Sequence, residues 1–310
     1  MKKIIQISLL IFVGFVSKAQ QTEQFSLYML NQFGINPAVA GSKECIDIKL
    51  GFRSQWVGFE GAPKTAYANV HTQILTRKSG YRVKHGLGGQ VLSDDHGLMG
   101  ITGVNLSYAY HLKLNYKLSM SAGLHAGFLQ FRVSHGKMIL AQPNDNAINT
   151  NHNSTFMMPD ITPGFMLYTD DFYFGAVIKQ AWIKKIKRVF PDSKFQQHYL
   201  LYGAKRFEKG KGVSFIPSAM LKFTKLSMPA LDLTALMDYK NRFAIGASLR
   251  NGDAIIGMFK LNVLNRFTIG YAFDFTTSKI RTASSNSHEV MLGVYSCPFN
   301  SGGYYSCPVF

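Results

Sequence analysis

Strand-length segments with alternating apolar and polar residues fill most of the chain between Ile46 and Tyr295. We count about fourteen, and most are roughly 8–12 residues long, close to the 9–11 residues of a tilted membrane-spanning strand. In the segment 118–128, apolar residues or alanine at the even positions alternate with serine, glycine and histidine at the odd ones. One face of such a strand suits lipid and the other suits a polar interior. A soluble β-sandwich would show the same period.

Short connections alternate with long ones between these segments. Lys240-Asn241 and Thr169–Asp171 are short turns, whereas the connections 133–160, 180–197 and 274–287 are long. Short periplasmic turns and longer outer loops are typical of bacterial outer-membrane barrels, and an even number of strands leaves both chain ends in the periplasm. The pattern of connections therefore favours the membrane barrel over the sandwich.

The first residues are typical of a secretory signal peptide. Lys2 and Lys3 precede an apolar run from Ile4 to Val16, and small residues lead to an expected cleavage after Ala19. The run has about 13 residues, fewer than the about 20 that a membrane-spanning helix needs. An anchored N-terminal helix is the alternative.

These features together predict an all-β fold, a transmembrane antiparallel up-and-down β-barrel of about fourteen strands in the outer membrane. Only helices and closed barrels satisfy every backbone group in lipid, and the exported part contains no second apolar run of helical length. The predicted organisation is a signal peptide (1–19), a periplasmic N-terminal segment or plug (20–45), the barrel (46–296) and a periplasmic C-terminal tail (297–310).

The chain is strongly basic, with a formal net charge of +17. Nucleic acid is not an expected partner of an exported protein, so basic loops that face outer-membrane lipid or an acidic partner explain the excess better. The densest basic run, Lys184 to Arg188, falls in a predicted outer loop. Contact with lipopolysaccharide phosphates and simple solvation of the loop both remain open there.

Three cysteines, Cys45, Cys297 and Cys307, are an odd number for an oxidising compartment. Cys297 and Cys307 each precede a proline, and they could close a small disulfide loop after the last strand. Unpaired thiols near the periplasmic rim are the alternative. A zinc site is not expected because the chain contains no CxxC pair.

The stretch from Lys49 to Ile74 reads as a hairpin whose two strands flank the loop Gly58–Pro63. A rigid loop with aromatic and basic groups could dock a partner, or it could lock itself into the barrel mouth. Both roles remain open. The candidate residues for either role are Arg53, Gln55, Trp56, Gly58, Phe59, Gly61, Pro63 and Thr65.

The chain shows no recognisable catalytic constellation. His288 and Glu289 open the last predicted strand, but Leu292 stands where the zinc-binding helix motif requires a second histidine. The chain also lacks a phosphate-binding glycine loop and a serine in a nucleophile elbow. We therefore expect a non-enzymatic protein without catalytic residues, cofactor or metal. His288 and Glu289 join the loop residues as candidates for partner binding or a structural role.

Five segments, in order along the exported chain, carry recognisable motifs. They are QFSLYMLNQFGINPAVAGS at Gln24–Ser42, FRSQWVGFEGAPKT at Phe52–Thr65, IGYAFDFTTSKI at Ile269–Ile280, SHEVMLGVY at Ser287–Tyr295 and CPVF at Cys307–Phe310. Together they resemble the PorP/SprF family of the Bacteroidota type IX secretion system. Val39 and Phe273 depart from the family pattern, which more often has tyrosine at these positions.

The resemblance implies an outer-membrane barrel that supports secretion and cell-surface attachment of a dedicated cargo, such as a gliding adhesin. The implied partners are the cargo's C-terminal sorting domain and other components of the secretion system. A passive outer-membrane porin or small-solute channel is the alternative. A porin of this size usually narrows its lumen with a charged inward loop, whereas the connection 133–160 has a mixed composition.

Overall fold

The computed structural model describes residues 23–43, 45–74, 83–134, 154–182, 196–208, 210, 212–225, 227–264 and 266–296. Fourteen antiparallel strands form one closed sheet in which each strand pairs with its neighbours along the chain. The first strand also pairs with the last, from Asp47 opposite Tyr295 to Ser54 opposite His288. The closed ring confirms the predicted transmembrane up-and-down β-barrel.

The strands follow one another with no crossover. They are β1 Asp47–Ser54, β2 Lys64–Ile74, β3 Val83–His96, β4 Met99–Lys113, β5 Ser119–Val133, β6 Ser154–Tyr168, β7 Phe172–Lys179, β8 His198–Lys205, β9 Val213–Thr224, β10 Ser227–Tyr239, β11 Phe243–Arg250, β12 Ala254–Val263, β13 Phe267–Thr276 and β14 Ser287–Tyr295. The short stretch Phe207–Glu208 continues β8 along β9. We call the rim with connections 55–63, 134–153, 180–197 and 277–286 the long-loop rim, and the opposite end the short-turn rim.

Alternation along the strands separates a lipid-facing wall from a polar interior. In β4, the side chains of Val104 and Leu106 are 52% and 73% exposed, whereas Ser107 and His111 on the other face are buried. β5 repeats the pattern, with Leu124 exposed and its neighbour His125 buried, as predicted. An outer surface of valine, leucine and phenylalanine is the surface that a barrel presents to lipid.

Residues 23–43, here called the lumenal segment, lie inside the barrel. Every residue from Phe25 to Ser42 is buried, although the stretch forms only turns and the short 3₁₀ helix Pro37–Val39. The side chains of this stretch contact inward-facing residues of many strands. Within the described ranges, no helix has the length and apolar content needed to cross a bilayer.

The lumenal segment runs from the long-loop rim to the short-turn rim before it joins β1. Near its start, Ser26 accepts a hydrogen bond from the Arg53 guanidinium at 2.9 Å, beside the end of β1. Near its end, the Ala40 carbonyl bonds to His111 Nε2 at 2.7 Å, close to the short-turn end of β4. The segment therefore occupies the lumen along most of the barrel's length.

Glycines in the wall make room where the backbone of the lumenal segment comes closest. A Cβ placed on Gly86 would lie 1.9 Å from the Ala40 carbonyl oxygen, and one on Gly123 would lie 2.5 Å from the backbone of Pro37 and Ala38. Any side chain at these two positions would collide with the segment. The wall and the lumenal segment are thus fitted to each other.

Two strands extend further than the sequence indicates. The acidic stretch Asp94-Asp95-His96 has the composition of a polar loop, but it continues β3 opposite β2, with Asp95 opposite Lys64. β6 begins at Ser154, inside the expected loop, and contains Pro159. In the described part of the chain, β7 pairs only with the last five residues of β6. The first half of β6 therefore needs fewer ladder hydrogen bonds, which makes proline tolerable there.

The predicted disulfide between Cys297 and Cys307 lies outside the described residues. Within them, Cys45 is disulfide-bonded. The signal peptide, the basic run Lys184 to Arg188 and the tail 297–310 also lie outside the described residues.

Candidate functional site

The β1–β2 loop, residues 55–63, has a compact fold of its own. Gly58 and Gly61 have φ angles of +92° and +73°, and Trp56 has a φ of +45°. Such angles favour glycine, which explains the two glycines of the motif. Inside the loop, the Phe59 amide donates to the Trp56 carbonyl at 3.0 Å, and the Gln55 amide donates to the Pro63 carbonyl at 2.9 Å.

Neighbouring connections hold the loop from both sides. On one side, the Val57 amide donates to the Asn286 carbonyl at 2.8 Å, and the Ser285 amide donates to the Val57 carbonyl. On the other, the Gly97 amide donates to the Gly61 carbonyl at 2.8 Å. The loop is therefore fixed to the long-loop rim at both sides, which favours a structural role for its backbone.

A cavity of about 660 Å³ lies beside this loop, between the barrel wall and the lumenal segment. We call it the rim cavity. The loop's Trp56 and Phe59 line it, and Phe59 is 44% exposed. Gln24 and Ile35 of the lumenal segment form part of the opposite side. The structure brings five of the predicted residues to its lining: Gln55, Trp56, Phe59, Gly61 and Pro63.

Polar residues of the central strands line another part of the rim cavity. Asp160 of β6 is buried and accepts a hydrogen bond from Asn105 Nδ2 at 3.2 Å. His125 of β5 also lines the cavity, and its Nδ1 is bonded to the Ser107 hydroxyl. None of these residues was predicted from sequence to belong to a site. The only signal was their polar character at inward positions of alternating strands.

Arg53 and Glu289 belong to a buried ion-pair network rather than to the rim cavity. Arg53 Nη2 lies 2.6 Å from Asp274 Oδ2, and its Nη1 lies 3.3 Å from Glu289 Oε2. All three side chains are almost fully buried. Ser26 of the lumenal segment joins them, because its amide donates to Glu289 at 2.6 Å and its hydroxyl donates to Asp274 at 2.8 Å.

The network continues to strands β9 to β11 through Arg250. Its guanidinium lies 3.4 Å from Asp274 and 3.3 Å from Asp232, and Lys222 Nζ bonds to Asp232 at 2.8 Å. Four members of the network were not predicted from sequence, because they are isolated charges in separate strands: Asp274, Arg250, Asp232 and Lys222. The network ties the start of the lumenal segment to six strands of the wall.

A second charged cluster holds the other end of the lumenal segment. Asp47 Oδ2 lies 2.6 Å from Lys43 Nζ, 3.4 Å from Lys49 Nζ and 3.6 Å from His71 Nε2. His71 Nδ1 accepts a hydrogen bond from the Gly41 amide at 3.3 Å. Lys43 and Gly41 belong to the segment and the other three residues to the wall, so contacts with charged wall side chains fix the segment near both rims.

The remaining predicted residues make contacts within the wall. The Thr65 hydroxyl donates to Asp94 Oδ1 at 2.6 Å and is buried. His288 Nδ1 hydrogen-bonds the Tyr271 hydroxyl at 2.8 Å, and its ring packs 5.2 Å from that of Phe273. The predicted set is therefore divided among the rim cavity, the loop backbone, the buried network and the strand surface.

A closed ring of fourteen strands, an apolar outer wall and a polar, occupied interior define an outer-membrane β-barrel protein. A family model described as "Type IX secretion system membrane protein PorP/SprF" matches residues 17–294. The chain belongs to this family, which confirms the resemblance seen in its motifs. No curated protein gives a sequence match.

Three solved structures are similar to the chain at low sequence identity. The toluene transporter TbuX of Ralstonia pickettii is 10% identical, with a TM-score of 0.52, and the match covers 84% of this chain and 91% of that one. The monoaromatic hydrocarbon channel CymD is 11% identical, with a TM-score of 0.49 and coverage of 82% and 88%. A Pseudomonas aeruginosa FadL homologue is 11% identical, with a TM-score of 0.44 and coverage of 82% and 89%. The family and the TbuX fold are those of membrane barrels.

Proposed function

We propose that this barrel is a non-enzymatic component of the type IX secretion system that supports secretion and cell-surface attachment of a dedicated cargo, such as a gliding adhesin. Membership of the family supports a role in secretion. The observation that carries the proposal is the buried lumenal segment, which is fixed to the wall near both rims by ion pairs, Glu23 with Lys179 and Lys43 with Asp47. A barrel filled in this way suits a platform for partners better than a route for diffusion.

The β1–β2 loop is the proposed partner surface for the cargo's C-terminal sorting domain or another secretion component. Its backbone is held in place by neighbouring loops, and it exposes Phe59 at the long-loop rim. A rigid, exposed aromatic side chain loses little conformational entropy on binding, and aromatic residues are enriched at the centres of interfaces. We infer that the loop combines both roles considered for it, a lock and a docking surface.

A passive small-solute channel is the second candidate. The rim cavity favours it, as does the likeness in fold to TbuX, which is described as a toluene transporter. That likeness extends only to the fold at 10% identity. The filled lumen supports the secretion role over this alternative.

Deletion of the gene followed by complementation tests the proposal. We expect the deletion strain to lose specific cell-surface proteins, and the wild-type gene to restore them, as measured by surface proteomics. Phe59→Ala should restore them poorly. Phe207→Ala is the matched control, because Phe207 has the same 44% exposure near the short-turn rim. Unchanged surface proteins together with lost solute uptake would reject the secretion role in favour of the channel.

A further inference from the structure

The rim cavity contains hydrogen-bond acceptors that the protein itself does not satisfy. Asp160 Oδ1, Asn105 Oδ1 and Gln24 Oε1 are buried and have no hydrogen-bond partner among the described residues, and all three side chains line this cavity. Asp160 is only 7% exposed, and no ion pair of the described residues includes it. The Nε2 atom of His125, in the same lining, is unpaired among the described residues as well. Buried polar groups are normally paired, so these orphaned atoms at one cavity indicate a missing polar partner.

The lining of the rim cavity is also acidic, in contrast to the rest of the chain. Among its described residues it contains the carboxylates of Glu23, Glu60, Asp94 and Asp160, and Lys179 is the only lysine or arginine. Asp94 lies 3.2 Å from the His96 ring, which also lines the cavity. Lys179 is already paired with Glu23. Because the chain as a whole carries a formal charge of +17, this local excess of negative charge selects for a positively charged group.

Apolar side chains complete the lining. Trp56, Phe59, Leu92, Ile101 and Leu129 offer a surface for an apolar body next to the acceptors. A volume of about 660 Å³ lies within the range of ordinary ligand sites, which combine apolar walls with a few polar groups.

We propose that the rim cavity binds a ligand with an ammonium or guanidinium group on an apolar body. Such groups carry three to five hydrogen-bond donors and no acceptor, so they match the orphaned oxygens of Asp160, Asn105 and Gln24. A carboxylate would be repelled, and a neutral hydroxyl would leave the Asp160 charge unpaired. The ligand is a small amine or a basic side chain of a peptide, and both share this chemistry. The proposal goes beyond the secretion role, because it holds for a secretion platform and for a channel.

Binding to the purified full-length barrel in detergent tests the proposal. One pair of probes is phenylbutylamine and its neutral analogue phenylbutanol. The other is acetyl-Phe-Arg-Phe-amide and its uncharged citrulline analogue. Calorimetry gives the affinities, and fluorescence of Trp56 in a Trp182→Phe background reports entry into the cavity. We expect the charged member of at least one pair to bind about tenfold or more tightly, as a hydrogen bond to a charged group allows.

Asp160→Asn should abolish that preference, because it removes the charge while conserving the shape. Asp170→Asn makes the same charge change at an exposed turn of the short-turn rim and should preserve it. Should Asp160→Asn fail to fold, as judged by heat-modifiable mobility in gels, Gln24→Met removes a second acceptor and should weaken the preference. A preference for the charged probe in the amine pair alone identifies a small amine as the ligand. A preference in the peptide pair alone identifies a basic side chain of a peptide.

Three results would overturn the proposal: no binding of any probe, equal binding of charged and neutral probes, or a preference that survives Asp160→Asn. Loss of surface proteins in the deletion strain is a separate readout. Failure of the ligand proposal is therefore distinguishable from failure of the secretion role.

Discussion

Replacement of Arg53 by glutamine should destabilise the barrel far more than the loss of an ordinary ion pair. The guanidinium lies 2.6 Å from Asp274 and 3.3 Å from Glu289, and both carboxylates are buried. The variant leaves two buried carboxylates, of which Asp274 keeps an ion pair with Arg250 at 3.4 Å. Removal of one partner from a buried pair lowers the free energy of unfolding by about 3–5 kcal/mol.

Urea unfolding of the protein in lipid vesicles, followed by tryptophan fluorescence, measures this loss. Arg132→Gln is the matched control. Arg132 also lies 2.6 Å from a carboxylate, that of Asp95, but the two side chains are 52% and 54% exposed. An exposed pair contributes only about 0–1 kcal/mol. Equal losses for the two variants would refute the reasoning that burial and the contact with the lumenal segment make the Arg53 network important.

Two further substitutions probe the fit between the lumenal segment and the wall. Gly123→Val should reduce the free energy of unfolding by about 1–3 kcal/mol, because the new side chain overpacks against Pro37. Gly257→Val is the control and should change it by less than about 0.5 kcal/mol, because nothing lies within 4 Å of a Cβ at that position. Equal urea midpoints would contradict the close approach. Asp47→Asn should lower the free energy of unfolding by about 3 kcal/mol, because it leaves Lys43, Lys49 and His71 without their shared carboxylate. A urea midpoint equal to that of Asp170→Asn would contradict this prediction.

The strands could be predicted because period-two alternation and connection lengths are local properties of the sequence. The bounds of β3 and β6 could not be predicted, because the local pattern of polar and apolar residues is ambiguous there. Asp94 to His96 look like a polar loop, yet their strand is secured by a hydrogen bond from Thr65, which lies far away in sequence. The prolines of β6 are tolerated because β7 pairs with only part of that strand.

The location of the lumenal segment could not be settled from sequence, because its partners are distant residues. Asn31 accepts a hydrogen bond from Asn69, and Asn36 donates one to Tyr202, so each amide is satisfied by a different part of the wall. A mixture of aromatic and amide side chains without a regular period fits an extended surface segment equally well. Only closure of the barrel around it explains why nearly all of it is buried.

The sequence pointed to the loop but not to a cavity. Glycine, proline and aromatic residues at fixed spacing indicate a rigid connection, and the structure places five of the predicted loop residues in the lining of the rim cavity. Their role in partner binding stays a prediction. The sequence does not show that Arg53 and Trp56 lie in different environments. In the structure, Arg53 at the end of β1 belongs to the buried ion-pair network, whereas Trp56 in the loop lines the rim cavity. The acceptors Asp160 and Asn105 come from different strands, so their convergence is a property of the fold alone.

The conductance of the purified barrel in a planar lipid bilayer tests the central claim most directly, namely that residues 23–43 fill the lumen. We expect the wild-type protein to show no steady open-pore current, because Phe25 to Ser42 are buried between ion pairs near both rims. A variant that lacks residues 23–43 should insert and conduct. A steady ohmic current through the wild-type protein, equal to that of the deletion variant, would contradict the filled lumen and favour the passive channel.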